Sequence, residues 1–271
     1  MNTALKRTLL ASLVVPFALG AQSASAQMIT DWGYEVNSSF SNWTGTGGDG
    51  SITASDSDST LSWGVSGPQS SVSITSNVSA PNGLMTNQGY VDGGTFTHTN
   101  NTLPARGNAL ASFDLTSTLT LTPADPAGDP LPSESRTFQS FFNETLNDGN
   151  CFSGSVSNCD DIFTIDNIDD LGLVETDDGF EFASPSFTIG DYSYTVFLEL
   201  AGLGYLGEDA CTEAGASATC IGLITQEGQV SDFDTRFRIT ATEVPEPGTL
   251  ALLGLGLAGL GLSRRKKAAK A

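Results

Sequence analysis

An alternation of apolar and polar residues with a period of two recurs along this chain, and it constrains the fold more than any other feature. Over 192–200 the even positions are Tyr192, Tyr194, Val196, Leu198 and Leu200. Over 233–241 the odd positions are Phe233, Thr235, Phe237, Ile239 and Ala241, interleaved with Asp234, Arg236, Arg238 and Thr240. A third run, 109–121, puts Phe113, Leu115, Leu119 and Leu121 on odd positions among Ser, Asp and Thr. Side chains alternate across a strand, so each run predicts a strand with one buried face and one wet face. Weaker runs at 61–66, 70–76, 94–99, 136–142, 161–165 and 179–182 read the same way. Turn signals lie between them: Pro81-Asn82-Gly83, Asp92-Gly93-Gly94, the stretch 123–132, and Asn147-Asp148-Gly149-Asn150. No long amphipathic helix interrupts this pattern. Roughly nine or ten strands with this spacing predict an all-β domain, an antiparallel β-sandwich of jelly-roll-like outline.

The ends do not belong to that domain. Lys6 and Arg7 precede an apolar run that closes on Ala24-Ser25-Ala26, the order of zones in a secretory signal peptide cut by signal peptidase. The expected division is 1–26 signal peptide, 27–243 β-sandwich and 244–271 C-terminal tail.

Trimming the ends exposes the charge of the body. The chain has 11 Lys+Arg and 31 Asp+Glu. Between Gln27 and Pro247 the only basic residues are Arg106, Arg136, Arg236 and Arg238, while every acidic residue lies there and lysine is absent. Such a surface repels phosphates, which excludes nucleic acid as a partner. It suits solubility outside the cell and attracts divalent cations.

Four cysteines fall into two close pairs, Cys151 with Cys159 and Cys211 with Cys220. In an exported chain the simplest expectation is two local disulfides, although four cysteines allow three connectivities. C-x7-C and C-x8-C are not the short spacings of a zinc site.

The tail carries Val244-Pro245-Glu246-Pro247-Gly248-Thr249, then an uncharged run to Leu262, then Arg264, Arg265, Lys266 and Lys267. As a helix the uncharged run would rise about 21 Å, short of the roughly 30 Å hydrocarbon core. The basic cluster is what the cytoplasmic end of such a segment carries. Motif, short apolar helix and basic end resemble the PEP-CTERM sorting signal of Gram-negative bacteria. The resemblance implies transient inner-membrane insertion, processing by exosortase at Pro245, Glu246 and Pro247, and a destination at the cell surface or in an exopolysaccharide matrix.

Within the body, Thr97-His98-Thr99-Asn100 contains the chain's single histidine. It resembles the signature of the THxN family of PEP-CTERM proteins, with Thr97, His98 and Asn100 as its defining residues; the choice-of-anchor K domain carries a similar stretch. Leu61-Ser62-Trp63-Gly64, Asn143-Glu144-Thr145 and Cys159-Asp160-Asp161 agree with that resemblance. It implies an exported β-rich domain and supplies no active site. Read from the residues alone, His98 fits a structural hydrogen bonder, a ligand contact or a general base, with Asp92 the nearest carboxylate in sequence. No nucleophile elbow accompanies it.

An acidic run follows, from which Asp166, Asp169, Asp170, Asp177 and Asp178 are the candidate calcium ligands, since calcium takes clustered oxygens in loops. No other cofactor is expected. Trp32, Trp43 and Trp63 are candidate sugar platforms or core residues. The expected function is a non-catalytic surface or matrix module that binds polysaccharide. The alternatives are a secreted hydrolase acting on the same matrix and a calcium-dependent adhesive.

Overall fold

Each of the three alternating runs forms a strand in the computed structural model, which describes residues 26–65, 67–104, 106–145, 151–157, 159–244 and 256–257. The expected signal peptide up to residue 25, the turn at 147–150, Pro245, Glu246, Pro247 and nearly all of the apolar tail lie outside the described residues. No helix among the described residues is long and apolar enough to cross a membrane.

In chain order the strands are β1 (Asp31–Gly45), β2 (Thr53–Ser55), β3 (Thr60–Trp63), β4 (Ser70–Ile74), β5 (Asn77–Met85) and β6 (Val91–Thr99). Next come β7 (Leu110–Asp125), β8 (Glu134–Asn143), β9 (Asp161–Ile165), the short helix α1 (Ile168–Leu171), β10 (Val174–Glu175) and β11 (Gly179–Ala183). The chain continues with β12 (Phe187–Ile189), β13 (Tyr192–Ala201), β14 (Gly204–Leu206), α2 (Glu208–Glu213), β15 (Cys220–Thr225) and β16 (Val230–Glu243). One sheet has seven strands in the order β14-β15-β9-β8-β7-β1-β5. The other has nine, β10-β11-β13-β16-β6-β4-β3-β2, with β12 paired to β13. Every strand-to-strand ladder among the described residues is antiparallel.

Register places the apolar faces opposite one another. Leu115 of β7 stands between Phe40 of β1 and Phe138 of β8. In the other sheet Phe96 of β6 stands between Ile74 of β4 and Phe233 of β16. The rows meet through their rings: Phe96 lies 4.6 Å from Phe163 and 6.3 Å from Phe113, centre to centre. Phe163 lies 5.6 Å from Phe233. Burial of each such side chain is worth about 1.5–3 kcal/mol, and well-placed ring pairs add about 0.5–1.5 kcal/mol. A second cluster joins the sheets around Trp32, Leu84, Leu121, Tyr194 and Phe237. Beside it an apolar cavity of about 410 Å³ opens, with Arg136 among its lining residues.

Sixteen strands among the described residues exceed the nine or ten expected, and the unexpected ones have distinct causes. On β1 the inner face reads Trp32, Tyr34, Val36, Ser38, Phe40, so a serine breaks the apolar pattern. The Ser38 hydroxyl is hydrogen-bonded to Ser117 at 2.8 Å, which makes its burial tolerable. β15 is buried nearly throughout, so it does not alternate.

Two expected turns are β-bulges instead. Pro81-Asn82-Gly83 lies inside β5, where Trp32 pairs with Leu84 and Tyr34 with Ala80. β5 is an edge strand, the one place in a sheet where a proline lacking its N–H is accepted. Gly33 lies beneath the bulge, where a Cβ would stand 2.6 Å from the Pro81 carbonyl oxygen. Asp92-Gly93-Gly94 likewise bulges inside β6, between the pairs Thr235–Gly94 and Arg236–Asp92.

The cysteines pair as Cys151–Cys159 and Cys211–Cys220. One bridge closes the loop that leads into β9; the other ties α2 to the first residue of β15. Ser153 Oγ donates to Asp209 Oδ2 at 2.5 Å, linking the two loops at the β14-β15-β9 side of the smaller sheet.

Candidate functional site

The period-two geometry of β6 decides what the signature residues do. Phe96, His98 and Asn100 turn inward, while Thr97 and Thr99 turn outward and are only half-buried. His98 is 0% exposed and Asn100 1%. β6 is an interior strand between β4 and β16, so these side chains enter the space between the sheets.

His98 lies among aromatic rings. Its imidazole stacks on Trp63 at 6.1 Å with a 14° interplanar angle and meets the edge of Phe142 at 4.8 Å. Neither ring nitrogen has a hydrogen-bond partner among the described residues. Burial holds its pKa down at about 3, so the ring is neutral. The nearest carboxylate to it in space is Asp161, not Asp92: His98 Nε2 stands 3.7 Å from Asp161 Oδ2. Asp92 instead accepts the Gly94 N–H within its own bulge. The hydrogen bond from signature to backbone is made by Asn100, whose Nδ2 donates to the Thr225 carbonyl at 3.1 Å.

Three carboxylates converge beside the imidazole. Asp161 opens β9 and is 0% exposed; its Oδ1 accepts the Thr145 N–H at 3.0 Å. Glu144 follows the last residue of β8, and its Oε2 accepts Trp63 Nε1–H at 2.7 Å. Glu227 lies between β15 and β16, and its Oε2 accepts the Thr102 hydroxyl at 2.8 Å. Carboxylate oxygens of Glu144, Asp161 and Glu227 all lie within 4.8 Å of one another. Burial is the main reason the Glu144 carboxyl is pushed up to about 7, with the Glu227 charge adding to it. Asp161 is raised well above the usual carboxylate range, first by burial and then by the charge of Glu144. Glu144 Oε1, Asp161 Oδ2, Asn100 Oδ1 and Thr225 Oγ1 are buried without partners among the described residues. The group is rich in acceptors and poor in donors. It can share protons between carboxylates or hold a cation.

The five aspartates read as calcium ligands do not form such a group. Asp166 accepts the Ser217 N–H at 2.7 Å, and Asp178 pairs with Arg236 Nη2 at 2.5 Å. Asp169 and Asp170 lie exposed on α1, and Asp177 is exposed in the turn before β11. The metal-capable group among the described residues contains none of them. Trp32 and Trp63 are both 0% exposed, so they serve the core and not a sugar platform.

Sequence reasoning singled out Trp63, His98, Asn100, Glu144 and Asp161 in four separate stretches but did not join them. It passed over Glu227 entirely. The signal that could have joined them is their position at strand ends: Trp63 closes β3, His98 and Asn100 lie at the end of β6, Glu144 follows β8 and Asp161 opens β9. Antiparallel pairing brings these ends together.

No curated protein sequence matches the chain. Residues 243–266 match the family model described as the PEP-CTERM protein-sorting motif. The described structure covers little of that segment, and the address is legible from the sequence. The chain carries a PEP-CTERM sorting motif, which implies export, handling by exosortase, and a place at the cell surface or outside the cell.

Proposed function

We propose that this exported protein is a non-catalytic surface or matrix module that binds exopolysaccharide through the outer face of its seven-stranded sheet. That face carries a ladder of hydroxyl pairs: Thr116 with Thr137 at 2.9 Å, Thr118 with Ser135 at 2.8 Å, and Thr120 with Ser133 at 2.8 Å. β1 extends the rows, since Ser39 pairs with Thr116, Asn37 with Thr118 and Glu35 with Thr120. Asn77 Nδ2 then donates to Asn37 Oδ1 at 2.8 Å. Strands lie about 4.8 Å apart, so hydroxyls and amides recur at near-regular intervals over a broad surface. Each hydroxyl both donates and accepts, which matches the chemistry of a sugar chain. The burial of the only histidine within the core supports a role without catalysis.

The test is retention of the secreted protein on immobilised exopolysaccharide from the producing cells. Replacing Thr116, Thr118 and Thr120 with Val should cut retention at least tenfold while leaving the melting temperature nearly unchanged. Equal retention of the triple variant rejects this face. Release of reducing sugar by the wild type, abolished in Glu144→Gln, would favour the hydrolase reading in its place.

A further inference from the structure

We infer that Glu144, Asp161 and Glu227 form a binding site for a divalent cation of the hard, oxygen-seeking class, with calcium as its occupant. The three carboxylates have oxygens within 4.8 Å of one another. Among the described residues no arginine forms an ion pair with Glu144 or Asp161. Arg106 faces Asp49, Arg236 is held by Asp178 and Glu199, Arg238 by Glu181, and Arg136 lines the apolar cavity elsewhere. Like charges in a partly desolvated site repel strongly unless a counter-charge enters.

The unpaired oxygens are an independent observation. Buried polar atoms in native proteins are almost always partnered, so a cluster of exceptions requires an explanation, and an ion in their midst supplies one. Here Asp161 Oδ2 and Asn100 Oδ1 are buried without partners on residues that are 0% and 1% exposed. Glu144 Oε1 and Thr225 Oγ1 add two more at neighbouring strand ends.

Donor chemistry selects the ion. The converging atoms are all carboxylate oxygens, with His98 Nε2 standing 3.7 Å from Asp161 Oδ2. All four cysteines are in disulfides, so no thiolate is available to favour zinc. His98 and Trp63 are positioning residues: the imidazole stands against Asp161 Oδ2, and the indole N–H holds Glu144 Oε2. Glu144 and Glu227 are only half-buried, which leaves the ion a way in. Bound there, it would join β8 and β9 to the loop that crosses from the seven-stranded sheet to β16, and so staple the two sheets at one end. Extracellular calcium modules bind at about 10⁻⁴–10⁻³ M, a range suited to an exported protein.

The experiment uses the secreted, disulfide-intact protein stripped of metal with EDTA, with terbium(III) as a luminescent stand-in for calcium. Trp63 bonds directly to a ligand, so tryptophan excitation should sensitise terbium emission, and calcium should quench it by competition. Calcium at about 10 mM should raise the melting temperature by about 4–8 °C. Glu227→Gln, on a half-buried loop residue, should keep the fold and lose both responses; Glu144→Gln should do the same. Trp63→Phe should lose the emission and keep a calcium-dependent melting shift. A fivefold Asp→Asn variant at 166, 169, 170, 177 and 178 should retain both responses. Absence of emission and of any calcium shift in the wild type would overturn the site, as would undiminished responses in Glu227→Gln. None of these readouts depends on polysaccharide retention.

Discussion

At the scale of single residues, Glu199 shows how this acidic body tolerates a buried charge. It is 2% exposed, on β13, directly opposite Arg236 of β16. Arg236 Nε donates to Glu199 Oε2, and the Thr176 hydroxyl donates to Oε1 at 2.8 Å. Removing the guanidinium would leave the carboxylate buried with one hydroxyl for company. Arg236→Ala should therefore destabilise by about 3 kcal/mol, whereas Glu199→Gln, which leaves no buried charge, should cost less. Chemical denaturation of the two variants checks the order; equal losses would mean that the pair contributes only packing. The arginine is partly solvated, so the cost belongs mainly to the stranded glutamate.

Bulges are the feature that matters at the scale of elements. Gly94 interrupts the pairing of β6 with β16 at φ 114°, and a Cβ there would stand 3.1 Å from the Thr75 Cβ. The Thr235 hydroxyl closes the bulge by donating to the Gly94 carbonyl at 2.8 Å. Four residues later the same strand delivers His98. The bulge thus sets which face of β6 receives Phe96, His98 and Asn100, because a slip of one residue exchanges the faces. Gly94→Ala should cost about 1–2 kcal/mol through an unfavourable φ alone. Amide exchange should report faster opening of β6 than of β13. Unchanged exchange on β6 would show that the bulge yields without strain.

Across the whole molecule, the phenols set an upper limit of pH. Burial raises the pKa of Tyr34, Tyr90 and Tyr194 above the ordinary value of about 10, and for Tyr90 the hydrogen bond to Glu181 adds to it. Tyr194 lies in the core, where its hydroxyl oxygen accepts the Ile29 N–H at 2.8 Å. The folded state holds these protons more tightly than the unfolded chain does. The stability these phenols contribute is therefore fully present below about pH 10 and is lost as pH rises through the folded-state values. Tyrosinate absorbance followed with sheet circular dichroism should show part of the phenolate signal appearing together with loss of sheet. Complete ionisation near pH 10 with the sheet signal unchanged would contradict this.

The sequence by itself determined the strands with a clean alternation, the all-β class, the acidic body and the sorting address. In each case the cause is local: a period of two, a composition, or a linear motif read by another protein. The tertiary structure decided the rest. β1 was obscured by a buried serine whose partner, Ser117, comes from a distant strand. The glycine- and proline-marked stretches at residues 81–83 and 92–94 look alike as turns or bulges until register is known. The carboxylates of Glu144, Asp161 and Glu227 lie far apart in the chain and become neighbours only when β8, β9 and β15 are aligned. Convergence of like charges is a property of strand register and sheet packing, and neither is written in the spacing of the residues.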